Sequence, residues 1–307
     1  MTQSHISNNV DQKPLQVSVV LNIWGNDNKD SLIRSLQSIR RQNHKPDEVL
    51  IVVDGPISES LQRIIQVFVK SVSFPVEQID LPIAAGLWNA RNVGIRAAEY
   101  EFIAVHDADD VMHPDRLRIQ LNHFESAEID VLGSPVYEFD AISERVLGLR
   151  MLAGNDLLTR KMLWQNVINH SSVMLRKSAV LGVGGYRNVH LAEDYDLWLR
   201  LICAGKNLCT TDFVLQAFSV DSDLNKRRGG TNFVSSEFAL HRLVRSTKLQ
   251  NILVSWVRLA LRLVYRLGPK FLRQIHRSKL QAKKSKDSAL NLEEFLNNPP
   301  LNINLIS

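Results

Sequence analysis

FIAVHDADDVMHPDRLRIQLNHF, residues 102–124, decides how this chain is read. It begins as an apolar run of strand length, FIAV, and passes directly into the acidic residues Asp107, Asp109 and Asp110. Pro114 stands where a first helical turn tolerates a missing N–H, and RLRIQLNHF continues with helical spacing. A buried strand that ends in carboxylates and leads into a helix is the repeating unit of an α/β sheet. In such sheets ligands sit outside the carboxyl ends of the strands.

Towards the N-terminus the unit recurs. VSVVLNI (17–23) is a β-branched strand followed by the turn cluster GNDNKD. SLIRSLQSIRRQ then places Leu32, Ile33, Leu36 and Ile39 at helical steps, with Asp30 or Ser31 in the capping position. EVLIVVDG (48–55) is a second buried strand, ending in Asp54, and ISESLQRIIQVFVK (57–70) a second helix. VEQIDL (76–81) and GLWNARNVGIRAAEY (86–100) repeat the pair. Four alternations with short connections predict right-handed βαβ units and a mainly parallel sheet covered on both faces.

Residues 130–190 are less regular and extend the same domain with extra strands and loops. YDLWLRLICAG (195–205) is amphipathic and follows the pair Glu193–Asp194. The predicted division is a disordered polar arm over 1–15, an α/β domain over 16–240, a basic amphipathic helical extension over 241–286 and a polar tail over 287–307. There is no internal repeat.

With 307 residues, 45% of them apolar, the chain can bury a full core. Cys203 and Cys209 lack the spacing of a metal or redox pair and read as reduced thiols. The polar start, MTQSHISNNVDQKP, has no apolar core of a secretory signal, so a cytoplasmic protein is expected. The net charge of +5 is unevenly spread. Thirteen Lys or Arg and no Asp or Glu lie between Arg242 and Lys286, which leaves −8 for the remainder. An acidic domain with a basic extension argues against nucleic-acid binding by the domain and gives the extension an anionic surface as partner.

Three carboxylates within four residues repel one another unless something neutralises them. A divalent cation such as Mg²⁺ or Mn²⁺ suits Asp107 and Asp109, since it takes hard oxygen ligands and completes its shell with water and phosphate. The alternative is a solvated acidic turn in which Asp110 caps the next helix. Asp54 either accepts hydrogen bonds from a base or ribose, or serves its own Asp-Gly turn. Glu193 and Asp194 either work at a site or simply complement the positive end of a helix. His106 and His170, each alone, read first as hydrogen-bonded structural residues. Trp198 is expected in the core, whereas Trp88 and Trp164 are open to core or sugar-stacking roles.

Taken together, VSVVLNIWGNDN, EVLIVVDG, GLWNARNVGI, FIAVHDADDVMHPDRL, NHSSVMLRKSAVLGVGGY and AEDYDLWLRL resemble glycosyltransferase family 2 in type and order, over residues 16–235. NKRRGGTNF (225–233) further resembles the bacterial capsular and extracellular polysaccharide subgroup of amylovoran type. The resemblance implies a GT-A, Rossmann-like fold and transfer of a sugar from a nucleotide-sugar donor, typically UDP-linked, to a saccharide or lipid-diphosphate-linked acceptor. It further implies that Asp54 binds the nucleoside, Arg91 helps hold the nucleotide, and Asp107 contacts ribose or metal-bound diphosphate. Asp109 would ligate Mn²⁺ or Mg²⁺, and Asp194 would be the general base of an inverting displacement. Two places depart from the family pattern: Ala84, where Asn is common, and Asn22–Ile23–Trp24, where a Pro-Thr-Tyr-like segment is common. A nucleotidyltransferase would carry a Gly-rich loop where WGNDN stands, and a non-catalytic binding protein would not need all three of Asp107, Asp109 and Asp194.

At the C-terminal side, Leu253, Trp256, Val257, Ala260, Val264 and Leu267 recur at three- and four-residue steps. Arg258, Arg262 and Arg266 form a stripe on another face. These arginines are expected to snorkel to lipid headgroups and hold the protein at the inner face of the cell membrane. The competing expectation is that the apolar face packs on the domain. Arg227 and Arg228 beside Gly229–Gly230 either fold over a diphosphate as a mobile loop or form a solvated basic turn.

Overall fold

The computed structural model describes residues 14–152, 154–220, 232–267 and 290–305. The polar start, the Arg227–Arg228 segment and FLRQIHRSKL (271–280) lie outside these residues. The first half alternates as the periodicity predicts: β1 (Val17–Trp24), α1 (Lys29–Arg40), β2 (Glu48–Asp54), α2 (Glu59–Ser71), β3 (Val76–Leu81), α3 (Leu87–Ala97) and β4 (Phe102–Asp107). Then come β5 (Val111–Met112), α4 (Arg116–Ser126), β6 (Val131–Gly133), β7 (Val136–Asp140), β8 (Val146–Arg150), α5 (Asn155–Met162), β9 (Met174–Arg176), α6 (Lys177–Gly182) and α7 (Glu193–Cys203). The remainder is β10 (Leu208–Thr210), β11 (Gln216–Val220), α8 (Asn232–Ser246), α9 (Ile252–Leu267) and α10 (Leu292–Asn297).

Seven strands form the central sheet in the order β10-β6-β9-β4-β1-β2-β3. β1 pairs in parallel with both β2 and β4, and β9 runs antiparallel between β4 and β6. The chain winds outward from β1 to β3 and then returns to the other side of β1 with β4. The carboxyl ends of β1 and β4 therefore mark the switch point where a ligand crevice opens. A second sheet, β5-β11-β7-β8, stands beside it.

Two apolar layers cover the central sheet, as the two-residue period of a strand requires. Val20, Leu50, Ile103 and Val105 belong to one, with Trp198 of α7 and Leu240 of α8. Val19, Leu21, Val49, Ile51 and Ala104 belong to the other, with Leu32 of α1, Ile65 of α2 and Leu117 of α4. Asn28 caps α1 through Asp30 N at 2.9 Å, a role the sequence assigns to Asp30 or Ser31. Pro114 precedes α4 by two residues and does not occupy its first turn.

The end of the chain is no polar tail. Residues 290–305 return to the second sheet, where Leu292 and Phe295 pack with Val111, Phe139 and Val214. Asn291 and Glu294 form a capping box on α10, and Val214 N donates to Leu301 O at 2.9 Å.

α9 lies on the domain in the orientation opposite to both expectations. Ser255, Arg258 and Leu259 face inward and are buried. Arg258 Nη2 donates to Tyr195 Oη at 3.0 Å, and its Nε to Trp164 O at 3.3 Å. Arg262 Nη2 and Arg266 Nε donate to Glu237 Oε1 at 2.8 and 3.0 Å. Glu237 is 1% exposed, and a carboxylate so buried needs such partners. The arginine stripe thus faces α8 and α7 and is not free to reach headgroups, while the apolar face looks outward.

Candidate active site

Strand parity aligns the polar groups of the site. Asn22 and Asp107 extend the series Val20 and Val105, and Asp54 extends Leu50, all on the layer covered by α3 and α7. Asn22 is opposite Asp107 in the β1–β4 register, and Trp24 is opposite Asp54 in the β1–β2 register. α3 lies close over this corner because Gly94 has no side chain. A Cβ there would fall 2.5 Å from Val20 Cγ1.

From α3, buried Arg91 reaches across the crevice. Its Nη1 donates to Glu193 Oε1 at 3.0 Å and its Nη2 lies 3.5 Å from Asp107 Oδ1, with the guanidinium 5.6 Å from the centre of the Tyr186 ring. Arg91 thereby bridges β4 and the start of α7. Although burial disfavours its charge, the carboxylates beginning with Asp107 raise its affinity for the proton above the usual arginine value.

The three clustered carboxylates take different paths. Asp109 is exposed, and the Asp107 side chain is 25% exposed beside Arg91. Asp110 turns into the protein and accepts hydrogen bonds from Ser171 Oγ and, at 2.8 Å, from Ser219 N. Burial, then the neighbouring Asp109 and Asp107, push its carboxyl well above the usual aspartate range. It ties β5 to NHSS and β11 and does not cap α4. A fourth carboxylate, Asp27, sits after β1 and accepts from Trp24 N at 2.9 Å. Burial is the main cause, with Asp107 adding, that raises it to about 6.

Among the described residues no cluster of three or more His, Cys, Asp or Glu side chains is placed to enclose a metal. Mg²⁺ and Mn²⁺ need no such cage, being held at transferase-like sites by one or two carboxylates with phosphate oxygens and water. Exposed Asp109 and partly exposed Asp107 fit that donor set. His106 does not take part: it is fully buried on the opposite layer with Nδ1 3.3 Å from Gln216 Nε2, and burial keeps it neutral. His170 lies 2.7 Å from Tyr186 Oη, and burial likewise holds it well below its usual value. Trp198 is fully buried, as expected.

Asp54 holds the loop before α3. Its Oδ1 accepts from Ala85 N at 2.8 Å and its Oδ2 from Gly86 N at 3.0 Å. Gly55 has φ +83°, and a Cβ at this glycine would meet Ala84 N at 2.8 Å. The Asp-Gly turn and the loop bearing Ala84 are therefore built against each other.

Asp194 stands in the first turn of α7. Asn166 Nδ2 donates to its Oδ2 at 2.7 Å, and Tyr195 N to its Oδ1 at 2.7 Å. Burial, then the adjacent Glu193, raise the carboxyl to about 6, against the opposing pull of Arg91. A carboxyl tuned to that value accepts a proton near neutral pH more effectively than an ordinary aspartate. The structure thus brings Arg91, Asp107 and the Glu193–Asp194 pair into one contact chain, with Asp54 at the end of β2, across β1 from Asp107.

Sequence reasoning did not single out Asp27 or Asn166, and it named Asn22 only within a departure from the family pattern. Asn22 is buried with both polar side-chain atoms unpartnered among the described residues. Its signal was a polar residue closing an otherwise apolar strand. Asn166 gave none, because its partner lies 28 positions away.

The sequence model of Glycosyl transferase family 2 matches residues 18–183. The chain is 30% identical to the amylovoran biosynthesis glycosyltransferase AmsE of Erwinia amylovora, over 82% of this chain and 94% of that protein. It is 28% identical to the UDP-Gal:alpha-D-GlcNAc-diphosphoundecaprenol beta-1,3-galactosyltransferase of Escherichia coli, over 72% of this chain and 80% of that one. In fold it resembles S. aureus TarS 1-349 in complex with UDP-GlcNAc, with a TM-score of 0.58 at 16% identity over 80% of this chain and 69% of that one. It also resembles the mannosyltransferase PcManGT of Pyrobaculum calidifontis in complex with GDP-Man and Mn²⁺, with a TM-score of 0.55 at 14% identity over 87% and 84%. The architecture is that of the GT-A glycosyltransferases. On these matches, the chain belongs to glycosyltransferase family 2.

Proposed function

We propose that this protein is an inverting glycosyltransferase that moves a sugar from a UDP-sugar to a saccharide or lipid-diphosphate-linked acceptor in surface polysaccharide synthesis. The observation that carries the proposal is the contact chain from Asp107 through Arg91 to Glu193, with Asp194 beside it raised to about 6. The donor class is supported by the UDP-GlcNAc bound to the TarS neighbour and by the UDP-Gal named for the Escherichia coli relative. The acceptor class is supported by the diphosphoundecaprenol named for that relative and by the amylovoran role of the other.

In this proposal Asp54 and Asn22 face the nucleoside at the carboxyl ends of β1 and β2. Asp107 and Asp109 hold Mn²⁺ or Mg²⁺, which when bound offsets the charge of the diphosphate. Arg91 keeps β4 and α7 at fixed separation, so that the donor side and Asp194 stay in register. As the acceptor hydroxyl oxygen bonds to the anomeric carbon, its proton passes to an Asp194 carboxylate oxygen. The bond from the anomeric carbon to the diphosphate oxygen breaks on the opposite side, and the nucleoside diphosphate leaves with the electron pair. One displacement inverts the anomeric centre. The protein would work on the cytoplasmic side, peripheral to the membrane.

UDP release across a panel of nucleotide sugars, with and without EDTA, tests the activity, and the product's anomeric configuration by NMR tests inversion. Release from at least one UDP-sugar that EDTA abolishes, with an inverted product, is expected. Retention of configuration would overturn the role of Asp194, and undiminished release in EDTA the metal.

A further inference from the structure

α9 presents its arginines to the protein and its apolar side to solvent. Leu253 is 72% and Val264 65% exposed, and Trp256, Val257, Leu261 and Leu267 share their side of the helix. Isolated surface hydrophobes need no explanation, but a continuous apolar face along a 16-residue helix, about 24 Å long, does. No helix among the described residues is long and apolar enough to cross a membrane. A helix of this kind lies in the interface plane, with its apolar face among the acyl chains.

Charge identifies what covers the face. Arg242, Arg245 and Lys248 are exposed on α8 and the turn after it. The sequence from 268 to 286, which begins where α9 ends, carries seven Lys or Arg and no Asp or Glu. A second copy docked by a two-fold axis would bring these like charges together, at a cost. An anionic leaflet instead attracts each of them. We infer that the outward face of α9 is the surface by which this protein enters an anionic lipid bilayer, the helix lying in the interface with its arginines directed into the protein.

The attachment also reaches the site. Arg258 bonds to Tyr195, the residue after Asp194, and to Trp164 O, two residues before Asn166. The inserted helix is therefore fixed to both segments that hold Asp194. Its value for presenting a lipid-linked acceptor rests on the function proposed above, whereas the docking itself does not.

The test uses the full chain and flotation with vesicles of phosphatidylcholine, alone or mixed with phosphatidylglycerol. Wild type should float with the mixed vesicles, and vesicles with brominated acyl chains should quench a fluorescence component that Trp256→Phe removes. The combined variant Val257→Gln, Leu261→Gln, Val264→Gln should lose at least about tenfold in partitioning. UDP affinity by calorimetry should stay unchanged in that variant, which separates loss of docking from loss of the glycosyl-transfer site. Undiminished flotation of the triple variant would overturn the inference, as would bound wild type without quenching of Trp256. So would a wild-type dimer in light scattering that the triple variant breaks while neither floats.

Discussion

Asn166 Nδ2 lies 2.7 Å from Asp194 Oδ2, so the loop after α5 holds the carboxylate that heads α7. Because the amide donates to the charged form, it pulls the Asp194 carboxyl down against burial and Glu193. Asn166→Ala should therefore move that carboxyl above about 6. The acidic limb of the kcat/KM profile should shift to higher pH while activity recovers at about pH 8. An unshifted limb would remove Asn166 from the tuning of the base.

Asp194→Asn should lower turnover by about 10²–10⁴-fold while UDP affinity stays near wild type, since the amide keeps the shape but accepts no proton. Stability should move the other way. A carboxyl whose folded value is raised to about 6 stabilises the fold while protonated, and that contribution is lost as pH rises through about 6. The variant has no such loss, so its Tm should match wild type near pH 4 and exceed it by a few degrees at about pH 8. A lower Tm at the higher pH would contradict the assignment.

Arg91 separates two carboxylates that would otherwise face each other across the crevice. Arg91→Ala should destabilise the protein by about 1–3 kcal/mol in urea unfolding, because it leaves two half-buried carboxylates without their partner. Arg91→Ala combined with Glu193→Gln should recover part of that loss, because one of the stranded charges is gone. Full additivity of the two changes would show that the bridge is not a coupled unit.

Asp109→Ala and Asp110→Ala should fail differently. The first removes an exposed carboxylate and should leave Tm unchanged while lowering metal-dependent activity by about 10²–10³-fold. The second leaves Ser171 and Ser219 N without their partner in the interior, at about 1–3 kcal/mol each in stability. Thermal melts and metal titrations of the two variants side by side decide the point.

The wound half of the fold was legible because its period is local. VEQIDL is β3 residue for residue, and VSVVLNI and EVLIVVDG end within one residue of β1 and β2. Asp54, Asp107 and Asp194 could be placed at element ends for the same reason. Asp110 could not be told from Asp109, since only Ser171 and Ser219, brought in from distant segments, draw one of them inward. α9 shows the same limit more sharply. Helical spacing assigned Arg258, Arg262 and Arg266 to one face and Leu253, Val257 and Val264 to another. Which face met the domain depended on buried Glu237 and the Tyr195 hydroxyl, neither of which leaves a periodic trace.

The return of residues 290–305 to the second sheet changes how a shortened chain behaves. Cutting after residue 250 removes the basic stretch, but it also strips Leu292 and Phe295 from Val111 and Phe139, and Arg262 and Arg266 from Glu237. Such a fragment exposes apolar core and strands a buried carboxylate. It will sediment for reasons of solubility whether or not vesicles are present. Where this protein resides in the cell is therefore a question for point substitutions on the outer face of α9, whereas a C-terminal deletion series reports on folding.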